Sequence, residues 1–266
     1  MRSLPSLTRS SPDDIFGDAS TIAHSIGCSN AVAFDLTAAC SGFLFGVVTA
    51  SQFLQGGSAK NVLVVGGDSL SRWVDWEDRN SCILFGDGAG ALVLSTDGAT
   101  PGESGVMGFS LHSDGGGHGD LLCAQKTSPV EVATPDGATL SKGGYGPITM
   151  NGKKVYAFAT REVPAVLEEA MGEAGITVDD VDHLLLHQAN IRIMETVAKR
   201  MKLPMEKVIS NLSKYGNTSA GSIPLALDEA VREGRVKKGD VVACAGFGAG
   251  LSWGGAILRW DGPANP

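Results

Sequence analysis

The stretch AVAFDLTAACSGFLFG, Ala31 to Gly46, decides how the rest of the chain is read. Its first six residues are mostly apolar and predict a strand, and from Cys40 to about Leu54 the pattern predicts a helix. The next apolar run, KNVLVVGGD, predicts a second strand, and CILFGDGAGALVLS from Cys82 a turn followed by a third. The same order returns near the C-terminus. There KVISNL reads as a strand, Asn217 opens a helix running to about Arg232, DVVACAG is a strand, and FGAGLSWGGAILRW is the closing unit. Such a duplication predicts two βαβ-rich halves packed about a pseudo-twofold axis, with residues near the axis forming one site. In the repeat Cys40 and Asn217 take equivalent places, as do the segments beginning at Phe85 and Phe247.

The halves are unequal. Before KVISNL the second half has a helix from Val155 to about Gly172, the strand HLLLH and a helix from Asn190 to about Met201. Before AVAFDL the first half has only a short helix around residues 15–26. A complete first half needs roughly two further pieces of about 30 residues each, the size of a βαβ unit. Between the halves, AQKTSPVEVATPDGATLSKGGYGP is rich in Gly, Pro, Ser and Thr and reads as a long loop or lid. The expected division is a nucleophile-bearing half-core over 1–100, linker and lid loops over 101–149, and a second half-core over 150–266.

With 266 residues, 43% hydrophobic and 19% charged, the chain has the composition of a globular α/β protein. A net charge of -8 supplies no global basic field, which argues against a nucleic-acid partner. No apolar run approaches a membrane span, and no hydrophobic region follows Met1, so a soluble protein is expected. The opening MRSLPSLTRSS carries Arg and Ser and no acids, like a transit peptide, but is short for one. Five cysteines without a CxxC pair fit a reducing compartment.

Cys40 sits at a strand-to-helix corner, where helix N–H groups would favour the thiolate and lower its pKa. A nucleophile is the functional reading; a small buried hydrophobe is the bland one. Cys28, Cys82, Cys123 and Cys244 lack that setting and read as structural. His187 ends the apolar strand HLLLH, where strand ends of α/β sheets line sites, while His183 reads as the strand's polar entry. Asn217 alone is an ordinary helix cap. Placed opposite Cys40 by the repeat, it completes a Cys, His and Asn set. Papain-like proteolysis uses these residues in this chain order, but its signature around the cysteine is absent. Thioester condensation is the other chemistry. HSDGGGHGD, His112 to Asp120, lacks a metal-ligand spacing, so no metal is expected.

The segments DLTAACSGF, SRWVDWEDR, ILFGDGAGA, LLLHQANIRI, NLSKYGNTSAGSIPLALDEAV and GFGAGLSWGGAILRW resemble those of β-ketoacyl-acyl carrier protein synthase III, of the thiolase superfamily. That resemblance implies an α/β fold of duplicated thiolase-like halves layered α-β-α-β-α, with the first half truncated. It implies that Cys40 takes an acyl group from acyl-CoA, with acetyl the expected primer, and that malonyl-acyl carrier protein enters next. His187 and Asn217 would donate to its thioester carbonyl as carbon dioxide leaves. The backbone N–H groups of Cys40 and Ala249 would hold the later oxyanion. The resemblance places Arg79 at the CoA adenine, and Gln188, Ala189, Asn190, Ile191 and Arg192 at the carrier protein. It implies a homodimer that needs no cofactor, in a bacterial cytoplasm or plastid stroma, with neither a nucleic-acid nor a membrane partner. Two alternatives remain at this stage: a relative with another primer or ketide product, and a silent truncated form that binds a partner.

Overall fold

The computed structural model describes residues 3–10, 17–97, 105–131 and 139–263. The first half runs through β1 (Ser3–Ser10), α1 (Ala19–Ser25), β2 (Phe34–Leu36), α2 (Gly42–Gln55), β3 (Asn61–Ser69) and β4 (Asp87–Ser95). The second begins with β5 (Gly105–Ser113), a hairpin of β6 (Leu121–Glu131) and β7 (Thr139–Met150), and α3 (Gly152–Ala174). It continues with β8 (His183–Leu186), α4 (Ile191–Arg200), β9 (Val208–Ile209), α5 (Leu212–Tyr215), α6 (Ser222–Arg232), β10 (Val241–Gly248) and β11 (Ser252–Arg259).

The strands form two mixed sheets, ordered β2-β1-β3-β4 and β9-β8-β10-β11-β5. In each, the first three strands are parallel and the fourth turns back antiparallel. Strand for strand, β2 matches β9, β1 matches β8, β3 matches β10 and β4 matches β11. β5 has no counterpart among the described residues. Two expectations change. The segment at 3–10, read as transit-like, pairs in parallel with β2 and β3. The region 101–149, read as linker and lid, supplies β5 to the second sheet and the β6–β7 hairpin. Backbone pairing there overrides a composition that suggests loop.

α2 and α6 lie between the sheets, each touching strands of both. α2 accordingly buries Phe43, Leu44, Val47, Val48 and Ala50 around its circumference, the all-round burial of a central helix. Each large apolar side chain there contributes about 1.5–3 kcal/mol. α3 covers the outer face of the second sheet through Val163, Leu167 and Ala170, and α1 touches β1 and β2, giving five layers. Asn151 caps the α3 N-terminus, accepting from the Lys154 N–H at 3.3 Å, and Gly175 ends the helix at φ 67°.

The central helices are each preceded by a short 3-10 turn, Ala39–Ser41 and Ser219–Gly221. The first residue of each is left-handed, Ala39 at φ 46° and Ser219 at φ 51°. This fixes the register of the duplication: Cys40 matches Ala220, and Asn217 matches Thr37. Cys40 and Asn217 are therefore not equivalent positions, as the sequence repeat suggested. Nor are the two Phe-Gly segments, since Phe247 lies within β10 and Phe85 precedes β4. Matched glycines bring the halves together. A Cβ on Gly66 of β3 would lie 2.3 Å from the Ala220 carbonyl oxygen, and one on Gly246 of β10 would lie 3.0 Å from the Ser41 Cα. Each strand thus seats the opposite half's corner.

Candidate active site

Cys40, His187 and Asn217 come from three separate elements and line one cavity of about 1060 Å³. All three are buried, at 7%, 2% and 7% exposure. β8 delivers His187: the ladder to β10 extends one residue past the strand, with the His187 N–H donating to the Ala245 carbonyl at 2.8 Å. The Phe247 ring stands edge-on to the imidazole at 5.2 Å. Asn217 is pinned by two backbone bonds. Its N–H donates to the Leu84 carbonyl at 2.9 Å, and its carbonyl accepts from the Gly86 N–H at 2.8 Å. Its side-chain oxygen accepts from the Ser219 N–H at 2.9 Å, which leaves the amide NH₂ as the end without that bond.

The Ser219 hydroxyl donates to the Cys40 sulfur at 3.2 Å. Sequence reading singled out Asn217 and passed over Ser219, although the motif GNTSAGS contains it. Asp68, also missed, accepts from the Ala220 N–H at 2.9 Å at the end of β3. On the other side, Ser252 ties the glycine-rich loop to the nucleophile corner. Its hydroxyl lies 3.2 Å from the carbonyl oxygens of both Ala38 and Ala249, and 2.8 Å from the Ser41 hydroxyl.

Burial dominates the electrostatics. It pushes the Cys40 thiol up to about 12, against the Ser219 hydrogen bond that favours the thiolate, and the Asp68 charge raises it further. The expectation of a lowered pKa is therefore reversed: at this corner desolvation outweighs the helix N-terminus. Burial also pushes His187 down to about 3, opposed by a hydrogen bond to the Ser219 backbone. Both groups rest neutral. A thiol, an imidazole and a carboxamide facing a deep cavity suit acyl transfer followed by enolate chemistry.

Residues 34–115 match the family model described as 3-oxoacyl-[acyl-carrier-protein (ACP)] synthase III, and residues 171–260 match the model of its C-terminal part. The chain belongs to the synthase III family. It is 58% identical over 254 residues to a synthase III of Microcystis aeruginosa, covering 96% of this chain and 75% of that relative. The crystal structure of the synthase III of Thermus thermophilus superposes with a TM-score of 0.85 at 39% identity, over 98% of this chain and 77% of that one. The priming β-ketosynthase of the R1128 polyketide pathway gives 0.81 at 35% identity, over 99% and 76%. The fold is the thiolase-like α/β fold of synthase III structures.

The remaining residues suggested by the synthase III resemblance divide. Ala189, Asn190 and Arg192 line the cavity, and Asn190 caps α4 through the Arg192 N–H at 2.9 Å. Ile191 is 42% exposed beside them. Gln188 does not belong with this group. It is fully buried, its amide donating to the Leu186 and Ile209 carbonyls and accepting from the Asn211 N–H. That bonding ties β8 to the segment after β9 and leaves nothing for a carrier protein. Arg79 is exposed and lies off the cavity wall, although its neighbours Asp78 and Asn80 line it. Among the described residues no three His, Cys, Asp or Glu side chains group as metal ligands. Asp114 of the glycine-rich loop caps Gly116, and Asp120 pairs with Lys154 at 2.9 Å. Among the same residues no helix is long and apolar enough to cross a membrane.

Proposed function

We propose that Cys40, His187 and Asn217 together carry the synthase III reaction in this chain. The family reaction condenses acyl-CoA with malonyl-acyl carrier protein and initiates fatty acid synthesis, and this chain is a condensing acyltransferase of that kind. The observation that carries the residue assignment is the Ser219 link. One turn holds the Asn217 carboxamide through the Ser219 N–H and the Cys40 sulfur through its hydroxyl, so nucleophile and amide are set together.

In this reading Cys40 receives the acyl group, with loss of CoA. Malonyl-carrier then enters, Asn217 and His187 face its thioester oxygen, and decarboxylation gives the enolate that attacks acyl-Cys40. The N–H groups of Cys40 and Ala249 hold the oxyanion of that attack, with Ser252 bracing the Ala249 loop. Neither step calls for a metal or redox cofactor. Arg79 meets CoA at the rim, and Ile191 and Arg192 meet the acidic carrier. A second copy of the chain is the assembly partner, supported by the unpaired edge of β4 among the described residues and by Val93, 62% exposed on that strand. The cyanobacterial relative supports a bacterial cytoplasm or plastid stroma. The similarity to a priming ketosynthase of polyketide synthesis favours one second reading, the same chemistry with another primer.

Incubation with acetyl-CoA followed by intact-mass measurement tests the assignment. An acetyl adduct present in the wild type and absent from Cys40→Ala supports it. A folded wild-type chain that accepts neither acetyl nor longer acyl groups overturns it.

A further inference from the structure

We propose that Ser222 is a positioning residue that holds His187 in its Nδ1–H tautomer, so that the ring meets the cavity with an unprotonated Nε2. The Ser222 hydroxyl lies 2.8 Å from His187 Nδ1. It donates to the Ser219 carbonyl at 2.7 Å and accepts from the Gln188 N–H at 3.2 Å. A hydroxyl has one proton and two lone pairs. The carbonyl can only accept, so it takes the proton; the backbone N–H can only donate, so it takes one lone pair. Only a lone pair is left for the ring, and Nδ1 must bring its own hydrogen. Ser222 is 1% exposed and Gln188 0%, so bulk water does not compete for these positions. The Ser219 backbone, a further bonding partner of the imidazole, is itself engaged by Ser222 through its carbonyl.

The assignment rests on the condensing reading and adds a proton balance to it. An unprotonated Nε2 cannot donate to the malonyl thioester, so its proton must arrive during the cycle. As Cys40 attacks acyl-CoA, the new S–C bond forms, the C–S bond to CoA breaks, and the thiol proton moves to Nε2. CoA leaves as thiolate and is protonated by solvent. The imidazolium then donates to the malonyl thioester oxygen while carbon dioxide departs. The new C–C bond expels Cys40 as thiolate, which takes its proton back from Nε2. One proton thus shuttles between two side chains, and Ser222 sets which ring nitrogen receives it.

Nitrogen-15 NMR of histidine-labelled protein reads the tautomer directly, with His187→Asn identifying the resonance. In the wild type His187 is expected protonated on Nδ1 and bare on Nε2, without any substrate present. Ser222→Ala is expected to shift the ring towards Nε2–H and to slow acyl loading by roughly 10²-fold, the lower range of acid–base assistance. Ser222→Thr keeps the hydroxyl and is expected to restore both. A wild-type ring protonated on Nε2, or an unchanged tautomer in folded Ser222→Ala, overturns the proposal. Because the spectrum is read on the free protein, an absence of acyl loading would count against the condensing reading and not against the tautomer.

Discussion

At residues 39–41 and 219–221 the chain makes the same corner twice, a left-handed residue leading into a 3-10 turn and then a central helix. The corners differ in what the neighbouring strand brings to them. β3 brings Asp68, whose carboxylate accepts the Ala220 N–H at 2.9 Å. β10 brings Gly248 at the matched position. There a Cβ would lie 2.8 Å from the Cys40 Cβ and 2.9 Å from its nitrogen. One corner is closed by a fixed anion. The other has no side chain over it, because Cys40 itself packs into the space a side chain at 248 would take. The two corners therefore differ in a strand-end residue as well as in the cysteine.

Several substitutions act on that difference. Cys40→Ala makes the two corners alike, and intact-mass analysis is expected to find complete loss of acyl transfer with the fold retained. The second concerns His187, which burial holds neutral. Its folded pKa, about 3, lies below the ordinary 6.5, so its contribution to stability is full above pH 6.5 and is lost as pH falls towards 3. The expected loss is on the order of a few kcal/mol at the acid end, and His187→Asn should flatten the acid limb of a denaturation series. Gly248→Ala puts a Cβ where the open corner has none. It should cost about 1–3 kcal/mol in thermal stability and displace Cys40, lowering acyl loading as well.

The smallest pair moves the cysteine in opposite directions. Asp68→Asn removes a charge that raises the Cys40 pKa, so iodoacetamide should alkylate the thiol faster at fixed alkaline pH. Ser219→Ala removes a hydrogen bond that lowers it, so alkylation should slow by several-fold, in line with about 1 kcal/mol for one such bond. Equal rates in both variants would mean that the two corners do not tune the sulfur.

Much of the duplication was legible because apolar strands, small-residue corners and helices recur in one order, and these patterns are local. Its register was not. Cys40 and Asn217 had been matched by their chemistry, whereas backbone conformation matches Cys40 with Ala220, three residues beyond Asn217. The hairpin β6–β7 was missed because Gly, Pro, Ser and Thr recur along its sequence, whereas cross-strand pairing forms it. His187 was readable as a strand-end side chain, but the family resemblance misplaced Gln188, whose amide turns inward to satisfy backbone groups of Leu186, Ile209 and Asn211. The direction of the Cys40 pKa also escaped, because the helix end is visible in sequence and the extent of burial is not.

Gly66 and Gly246 have a consequence for how the molecule could be divided. Each empties a place in one half that is filled by the corner of the other, so the seam between halves is a mutual socket. A cut in the chain between β4 and β5 would not yield two self-sufficient domains. Each fragment would carry a corner without its seat and a seat without its corner, and the two would regain order only by finding one another.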